Sequence, residues 1–272
     1  MKHKSILIKF FELLGIGITS KANLKSLLLK QINYDSLLAR FEVANRDITL
    51  VLDLVKIGAV EPANHQNLVM ALKSSKSQLR QEVFCLIYNN WKKGGYFVEF
   101  GAFDGIADSN TLSLERDFNW TGILAEPNID FHSALKYNRK CIIETVAIGA
   151  EPRDARSFIS FGNLSTFAEY ADKDVHNRSG GTYVNVETVP LTKLLDRNYA
   201  PNVIDFLSVD TEGSELEILY TLDFDRYSFN FICIEHNNTH NHSLIIDLMS
   251  KNGYKEVMQS HSQWDSFFIP NN

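Results

Sequence analysis

The sequence has 272 residues, of which 44% are hydrophobic and 22% charged, and its net charge is −6. Such a chain can bury a sizeable core without disulfides or metals. The negative balance provides no basic footprint for nucleic acid, so no nucleic-acid partner is expected. The three cysteines are far apart in apolar runs, which indicates reduced thiols in a cytoplasmic protein rather than a disulfide framework.

The first ninety or so residues carry helix signals. Leucines recur at near-helical spacing around residues 24–29, 37–41 and 50–55, and Glu61-Pro62 interrupts the pattern. A further helix is predicted at about residues 76–91, ending at Gly94-Gly95. We therefore predict an N-terminal helical extension over residues 1–93 and a second domain over residues 94–272.

The N-terminus combines basic residues with the apolar run Ile6 to Phe11. Lys9 and Glu12 interrupt this run and no cleavage site follows, which argues against a signal peptide. No transmembrane span is expected, because runs of eighteen apolar residues are absent from the sequence. A basic amphipathic helix here would either make peripheral membrane contact or dock on its own domain or on another subunit of an oligomer. The docking interpretation is favoured.

After Gly95 the sequence changes to short apolar runs that alternate with amphipathic helices. Strands are predicted near residues 96–100, 122–125, 141–148, 203–209 and 229–234, with helices near 110–118, 128–137, 214–220 and 244–250. Two closing strands near 255–259 and 264–269 have no helix between them. The pattern predicts an α/β, Rossmann-like sandwich with a mostly parallel seven-stranded sheet and an antiparallel edge hairpin.

The segment between Asp154 and Pro190 does not follow this alternation. It contains a strand-like run, a polar loop and a second strand-like run. Loops of this length are usually functional or mobile, so residues 161–182 are a candidate lid over a bound ligand. The aromatic side chains of Phe161, Phe167 and Tyr170 would either stack on that ligand or form a local core.

A glycine turn follows the first predicted strand in the run VEFGAFDG. Its spacing, Glu99-x-Gly101-x-x-x-Gly105, departs from the dinucleotide fingerprint and matches the pattern of class I methyltransferases. Gly101 allows a tight turn, and Gly105 would let the turn approach a ligand without a side chain in the way. Glu126 ends the next strand, where a carboxylate can accept hydrogen bonds from ribose hydroxyls. The alternative is a structural turn plus a surface glutamate.

The run FVEFGAFDGIADSNTLSLERDFNWTGILAEPN resembles the FkbM-type methyltransferases, in particular a branch with the tripeptide Ser109-Asn110-Thr111 and the pair Leu114-Glu115. The runs VIDFLSVDTEGSELEIL, FICIEHN, NGYKEV and SQWDSFFI extend the resemblance over about residues 96–270. It implies a class I fold, S-adenosylmethionine as cofactor and, often, O-methylation of sugars or glycan-like acceptors. Animal members of this branch include a membrane-trafficking protein, so a non-catalytic adaptor that retains the fold is the alternative.

The resemblance implies cofactor contacts at the ends of the first two strands. In the family pattern Glu99 faces the cationic, amino-acid end of the cofactor. Asp104, Ser109 and Asn110 lie on the loop and first helical turn, where N–H and hydroxyl groups suit its carboxylate and ribose. Ser109 is equally well explained as a helix N-cap. The predicted cofactor-binding residues are Glu99, Gly101, Asp104, Gly105, Ser109, Asn110, Glu126, Pro127, Asn128 and Asp210.

The candidate catalytic residues are Asp210, Glu212 and His236, which follow two later strands. Methyl transfer requires in-line geometry, and a hydroxyl acceptor also needs a general base. Asp210 directly follows the strand DFLSV, beside the expected methionine moiety and acceptor. Glu212 is also explained as part of an acidic turn before a helix. His236 is a candidate base because its pKa lies near the working pH, and a structural role is the alternative.

Metal sites are considered but not predicted. His236, His240 and His242 form a His-x-x-x-His-x-His run that would suit a metal-dependent hydrolase, although a polar loop is favoured. The carboxylates of Asp210, Glu212 and Glu235 offer oxygen ligands for a divalent cation, which is kept as a minority hypothesis. The expected partner is a small-molecule or glycan acceptor, with Asp265 as a candidate acceptor contact.

Overall fold

The structure is a computed structural model that describes residues 34–173 and 176–271, with side chains from residue 42 onward except residue 154. The chain divides into two compact units, Met1–Lys73 and Ser74–Asn272. The helix predicted at residues 24–29 and the N-terminal amphipathic helix lie outside the described residues. The boundary between residues 93 and 94 stays a prediction.

The described part of the first unit is helical. Helix α1 spans Tyr34–Lys56, a 3-10 turn spans Pro62–Asn64, and helix α2 spans His65–Ser74. Pro62 opens the short turn, a position at which its missing N–H costs no hydrogen bond. Along α1, Leu50 and Leu54 are buried whereas Leu52 is exposed, as expected of an amphipathic helix. Within the described ranges, no helix is both long and apolar enough to cross a membrane.

The second unit alternates strands and helices. Its helices are α3 Gln81–Tyr88, α4 Leu112–Phe118, α5 Ile129–Asn138, α6 Leu191–Arg197, α7 Glu215–Leu219, α8 Asn241–Lys251 and α9 Gln259–Ser262, with a 3-10 turn at Ala168–Tyr170. Its strands are β1 Tyr96–Phe100, β2 Thr121–Ala125, β3 Ile142–Glu144, β4 Ala147–Ile148, β5 Arg153–Ser160, β6 Thr166–Phe167, β7 Thr182–Val189, β8 Val203–Val209, β9 Ser228–Glu235, β10 Tyr254–Val257 and β11 Asp265–Pro270.

The main sheet has seven strands in the order β10-β11-β9-β8-β1-β2-β3. Strand β11 runs antiparallel to β9 and β10, and the other pairs are parallel. The central strands are mostly apolar because helices cover both faces of the sheet, and Glu99, Asp205 and Ser208 are their buried polar exceptions. The predicted Rossmann-like sandwich with an antiparallel edge hairpin is confirmed. In this register Phe100 lies between Ala125 and Val209, so several strand ends meet at one edge.

A second sheet of four strands, in the order β4-β7-β5-β6, holds the segment that breaks the alternation. The predicted strand, loop and strand correspond to β5, the intervening residues and β7, which pair antiparallel. The single strand predicted at residues 141–148 is instead two strands, because the chain leaves the main sheet after Glu144 and joins the second sheet at Ala147. Helix α6 was not predicted, since its seven residues are too short for a clear periodicity.

Candidate cofactor and active site

A cavity of about 620 Å³ opens at the carboxyl ends of β1, β2, β8 and β9. Open α/β sheets bind ligands at this edge, and the volume suits a small molecule. Seven predicted site residues lie in its wall: Glu99, Gly101, Asn110, Glu126, Pro127, Asp210 and Glu212. Asp104, Gly105, Ser109, Asn128 and His236 contact other parts of the chain, as described below.

Gly101 joins the ends of β1 and β8. Its φ is +75°, and a Cβ atom at this position would lie 2.0 Å from the backbone oxygen of Asp210. Only glycine therefore fits, because any side chain would collide with the backbone of the neighbouring strand. Gly105 also has a positive φ, but a Cβ there would meet side-chain atoms of Leu135 and Arg139 at 2.7 Å. Gly105 thus lets the turn pack against α5 and the residue that follows it.

Asp104 closes the glycine turn on itself. Its Oδ1 atom accepts hydrogen bonds of 2.8 Å from the backbone N–H groups of Ile106 and Ala107. Its carbonyl oxygen accepts a 2.8 Å hydrogen bond from the Asn138 side chain at the end of α5. In this structure, Asp104 shapes the turn beside the cavity.

The carboxylate of Glu99 is buried and surrounded by donors from the Ser-Asn-Thr tripeptide. Oε1 accepts a 2.7 Å hydrogen bond from the backbone N–H of Asn110. The hydroxyls of Ser109 and Thr111 also donate to this carboxylate, and Nη1 of Arg139 lies 3.8 Å from Oε2. Burial raises the pKa of Glu99, whereas Arg139 and the hydrogen bonds oppose the increase. Donors from the protein itself therefore surround the Glu99 carboxylate.

Ser109 serves the start of α4. Its hydroxyl oxygen accepts hydrogen bonds from the backbone N–H groups of Thr111 at 3.3 Å and Leu112 at 3.1 Å, and from Arg139 at 3.1 Å. Ser109 thus holds the turn that leads into α4, whose N-cap residue is Thr111.

Asn110 has one partnered and one unpartnered end. Its Nδ2 atom donates a 2.9 Å hydrogen bond to the hydroxyl oxygen of Ser208 on β8. Its Oδ1 atom is buried and has no hydrogen-bond partner among the described residues. Because buried polar atoms are normally paired, an unpartnered oxygen in a cavity wall indicates a position for a ligand donor.

Glu126 presents its carboxylate at the end of β2. Oε2 accepts from the backbone N–H of Phe103 and Oε1 from that of Asn128, both at 2.8 Å. Burial raises its pKa to about 7, whereas these two hydrogen bonds oppose the increase. Each oxygen retains a lone pair, so the group can still accept two hydrogen bonds from a ligand.

Asn128 links this strand end to the second sheet. Its Oδ1 atom caps α5 by accepting from the N–H of Asp130 at 3.1 Å. Its Nδ2 atom donates to the hydroxyl oxygens of Ser160 at 2.9 Å and Ser165 at 3.1 Å. In the structure, Asn128 positions the cavity wall.

Three carboxyl groups converge on the other side of the cavity, at the ends of β8 and β9. Oxygen atoms of Asp210, Glu212 and Glu235 lie within 4.8 Å of one another. Asp210 and Glu235 lie within hydrogen-bonding reach of each other, and a bond between them forms only when one of the two carboxyl groups is protonated. Burial and the charge of Asp265 raise the pKa of Asp210 to about 7. Burial and Asp210 raise the pKa of Glu235 well above its ordinary value.

The three carboxyl groups have the chemistry of a divalent-cation site, but each of them already has a partner within the protein. A cation would have to displace the proton that Asp210 and Glu235 share. Glu212 forms an ion pair with Arg178, whose Nη2 lies 2.9 Å from Oε2. No described N–H or hydroxyl group donates to Oε2 of Glu235, which is buried.

His236 lies on the opposite face of β9 from Glu235. Its ring stacks on that of His242, with centroids 3.8 Å apart and planes 13° apart. Its Nδ1 atom accepts a 3.0 Å hydrogen bond from the backbone N–H of Asn238, and burial lowers its pKa. Because successive side chains of a strand alternate, Glu235 rather than His236 lies in the cavity wall.

The segment between β5 and β7 contributes one wall of the cavity. Its lining residues are Gly162, Asn163, Leu164, Ser165, Phe167 and His176, and Phe158 of β5 lies beside them in the wall. The buried side chain of Arg178 donates to the carbonyl oxygens of Leu164 at 2.6 Å and Ala171 at 3.0 Å, and pairs with Glu212. The candidate lid is thus fastened to the turn after β8. The Tyr170 hydroxyl donates to Glu217 at 2.8 Å.

Five further residues of the cavity wall have an unusual backbone conformation. Phe103, Asp108, Glu212, Asn237 and Asn238 all line the cavity with φ between +47° and +58°. Such conformations are strained in non-glycine residues and cluster at functional sites. Sequence reasoning identified Glu212 but missed the other four, as well as Gln78, Trp264 and Arg139. Asparagine and aspartate tolerate this conformation, which is the one signal the sequence offered.

The strand order and the glycine turn define a Rossmann-like fold of the class I methyltransferase type. The chain belongs to the FkbM methyltransferase family, because the methyltransferase FkbM domain matches residues 99–256. The resemblance predicted from the sequence is therefore confirmed.

Solved structures of low identity share parts of this chain's arrangement. Methyltransferase FkbM from Methylobacillus flagellatus KT is 13% identical with a TM-score of 0.41, and the match covers 80% of this chain and 60% of that one. Precorrin-6y C5,15-methyltransferase from Geobacter metallireducens GS-15 is 10% identical (69% and 85% covered, TM-score 0.39). Ribosomal protein L11 methylase from Lactobacillus delbrueckii subsp. bulgaricus is 8% identical (71% and 78%, 0.38). This chain thus spans 60% of the length of the FkbM structure. A comparison with curated proteins found no match.

Proposed function

We propose that this protein transfers the methyl group of S-adenosylmethionine to a hydroxyl group of a sugar or glycan-like acceptor. The supporting observation is one cavity with two chemically different sides. Glu126 and Asn110 offer free acceptor atoms on the β1–β2 side. A proton-sharing carboxyl pair, Asp210 and Glu235, lies on the β8–β9 side.

The residues of the first side fit the cofactor, which supplies an electrophilic methyl group when it is bound. The lone pairs of Glu126 suit the two ribose hydroxyls. Gly101 lets the end of β1 approach the backbone of Asp210 closely, beside the proposed position of the methionine moiety. The predicted contacts of Pro127 and Asp210 stay part of this proposal, and Asp104, Gly105, Ser109 and Asn128 support the wall.

Asp210 is our candidate for the general base. Its raised pKa of about 7 means that it can accept a proton near physiological pH. A sugar hydroxyl must lose its proton as the methyl group is transferred, so this base is needed for O-methylation. Glu212 positions the turn through Arg178 and adds negative charge. We assign no contact with reacting atoms to His236, because its ring lies against His242.

The acceptor side of the wall resembles a carbohydrate-binding surface in its chemistry. It combines the aromatic ring of Trp264 with the amide side chains of Gln78, Asn237 and Asn238. Amides and carboxylates donate to or accept from paired hydroxyls, and an indole ring packs on the apolar face of a sugar. This chemistry favours a polyhydroxylated acceptor. Cytoplasmic location, oligomer formation and peripheral membrane contact stay predictions from the sequence.

The test is methylation of a panel of methyl glycosides and nucleotide sugars by the full chain. Formation of S-adenosylhomocysteine and of a sugar methyl ether is followed by mass spectrometry. We expect turnover that is lost in Asp210→Asn and that persists when a chelator removes divalent cations. Methylation at nitrogen or carbon, or full turnover by Asp210→Asn, would contradict the proposal. Absence of S-adenosylmethionine binding in calorimetry would instead favour the adaptor alternative.

A further inference from the structure

We propose that the side-chain carbonyl of Asn110, rather than the carboxylate of Glu99, binds the ammonium group of the cofactor's methionine moiety. This inference rests on the proposed function, because it concerns how the same cavity holds S-adenosylmethionine. It reassigns the position that the family pattern gives to the acidic residue at the end of the first strand.

Glu99 has no free capacity for a ligand cation. Its carboxylate accepts from the backbone N–H of Asn110 and from two hydroxyls, and Arg139 supplies the balancing charge. The side chains of Arg139 and Glu99 are 0% and 3% exposed. Arg139 is held in place by Glu115, with Nε 2.8 Å from Oε2. A ligand ammonium at Glu99 would have to compete with a buried cation that is already fixed.

Asn110 has the free acceptor that Glu99 lacks. The residue is 5% exposed and lies in the cavity wall, as do Gly101 and Asp210. The hydrogen bond from Nδ2 to Ser208 holds the amide plane and leaves Oδ1 without a partner among the described residues. An unpaired buried polar group is destabilising, so a ligand N–H that reaches Oδ1 removes this penalty.

The surrounding charges favour a cation at this position over an anion. The alternative is a flipped side-chain amide of Asn110, in which Oδ1 and Nδ2 exchange positions. The Ser208 hydroxyl would then donate to Oδ1, and Nδ2 would face the cofactor's carboxylate. Asp210, Glu212 and Glu235 line the same cavity as Asn110, whereas Arg139, which balances the charge of Glu99, is not among the lining residues. A ligand carboxylate would be repelled here, whereas an ammonium group is attracted to Asp210 and hydrogen bonds to Oδ1.

The experiment compares three thioether ligands by calorimetry. S-adenosylhomocysteine carries the ammonium and the carboxylate, its decarboxylated form carries only the ammonium, and 5′-methylthioadenosine carries neither. Asn110→Ala should weaken the first two by about 10- to 100-fold, the range for a hydrogen bond to a charged group. It should leave methylthioadenosine affinity unchanged. Asn110→Asp should bind S-adenosylhomocysteine at least as tightly as the wild type.

Two further variants act as controls and keep the test informative if Asn110→Ala does not fold. Ser208→Ala releases the amide, so it should produce a smaller loss that is again selective for ammonium-bearing ligands. Glu99→Gln should lower the melting temperature and weaken all three ligands alike, because it disturbs the turn.

Three outcomes would overturn the inference while leaving the proposed function intact. The first is that Asn110→Ala loses as much affinity for methylthioadenosine as for the other two ligands. The second is that Asn110→Ala loses affinity for S-adenosylhomocysteine alone. The third is that Glu99→Gln loses affinity only for the ligands that carry the ammonium group. If the wild type binds none of the three ligands, the proposed function itself fails, and the inference fails with it.

Discussion

The two sides of the cavity handle buried carboxylates in opposite ways. On the β1–β2 side, Glu99 is neutralised by Arg139, and Glu126 accepts two backbone N–H groups. On the β8–β9 side, Asp210 and Glu235 face each other and share a proton. On the first side the chain itself supplies partners for both carboxylates and leaves acceptor atoms of Asn110 and Glu126 free for a ligand, whereas the second side retains excess negative charge.

Under the proposed function, this difference separates cofactor binding from proton transfer. A side whose carboxylates are held by hydrogen bonds and ion pairs within the protein is ordered before any ligand arrives. Such a side suits the binding of a large cofactor in one orientation. A side with crowded carboxyl groups has raised pKa values, about 7 for Asp210, which suits proton transfer. We therefore expect substitutions on the first side to change stability and cofactor affinity, and those on the second to change the response to pH.

The largest expected effect comes from Arg139→Met, which would make the first side resemble the second. Removal of the cation leaves Glu99 and Glu115 without their buried partner, and breaking a buried pair costs about 3–5 kcal/mol. The free energy of unfolding, measured with urea, should fall by this amount. Arg116→Met is the control, because its pair with Asp117 is exposed and worth at most about 1 kcal/mol. Equal losses in both variants would contradict the comparison.

Asp210→Asn should change how the free energy of unfolding depends on pH. The folded pKa of Asp210 is about 7, above its ordinary value of 3.8. The folded state therefore binds the proton more tightly, and stability falls as the pH rises through this interval. The variant should show a shallower decline in unfolding free energy between pH 5 and pH 8. At pH 8 it should exceed the wild type by about 1–3 kcal/mol, since each pKa unit corresponds to about 1.4 kcal/mol. An unchanged slope would show that Asp210 is not the crowded group.

Glu126→Gln tests the first side through the cofactor alone. The amide has one oxygen, so it cannot accept from Phe103, Asn128 and two ribose hydroxyls at once. We expect affinity for S-adenosylhomocysteine and for methylthioadenosine to fall about tenfold each, because both contain the ribose. Calorimetry with both ligands provides the measurement, and unequal losses would place Glu126 outside the ribose site.

The smallest effect is expected for His236→Gln. The ring lies on the far face of β9 against His242, so its loss removes a stacking contact and leaves both sides of the cavity unchanged. Affinity for S-adenosylhomocysteine should stay within about twofold of the wild type, well under the 1.4 kcal/mol of a tenfold change. A loss comparable to that of Glu126→Gln would return His236 to the candidate site.

Sequence reasoning worked where parallel-sheet geometry leaves little choice. Strand ends of a parallel sheet meet at one edge, so Gly101, Glu126 and Asp210 could be placed at one cavity from alternation alone. It was weaker on β9, because FNFICIE is apolar on both faces and the alternation cannot show whether Glu235 or His236 faces the cavity.

Arg139 shows that contacts between distant segments are difficult to predict from the sequence. It lies forty positions after Glu99, beyond a strand and two helices, and a single arginine at a helix end carries no pattern. Its partner could be recognised only after α5 was packed against the glycine turn. The same applies to Arg178, whose role depends on where the second sheet places the loop that carries it.

The placement of the second sheet has a consequence for how such proteins diversify. Strands β5, β6 and β7 lie outside the order of the main sheet, yet their connecting segment supplies one cavity wall. Their lengths and side chains can therefore change over evolution without altering the turn that holds Gly101. The ion pair between Arg178 and Glu212 joins the segment between β5 and β7 to the turn after β8. It therefore keeps this wall of the cavity aligned with the main sheet.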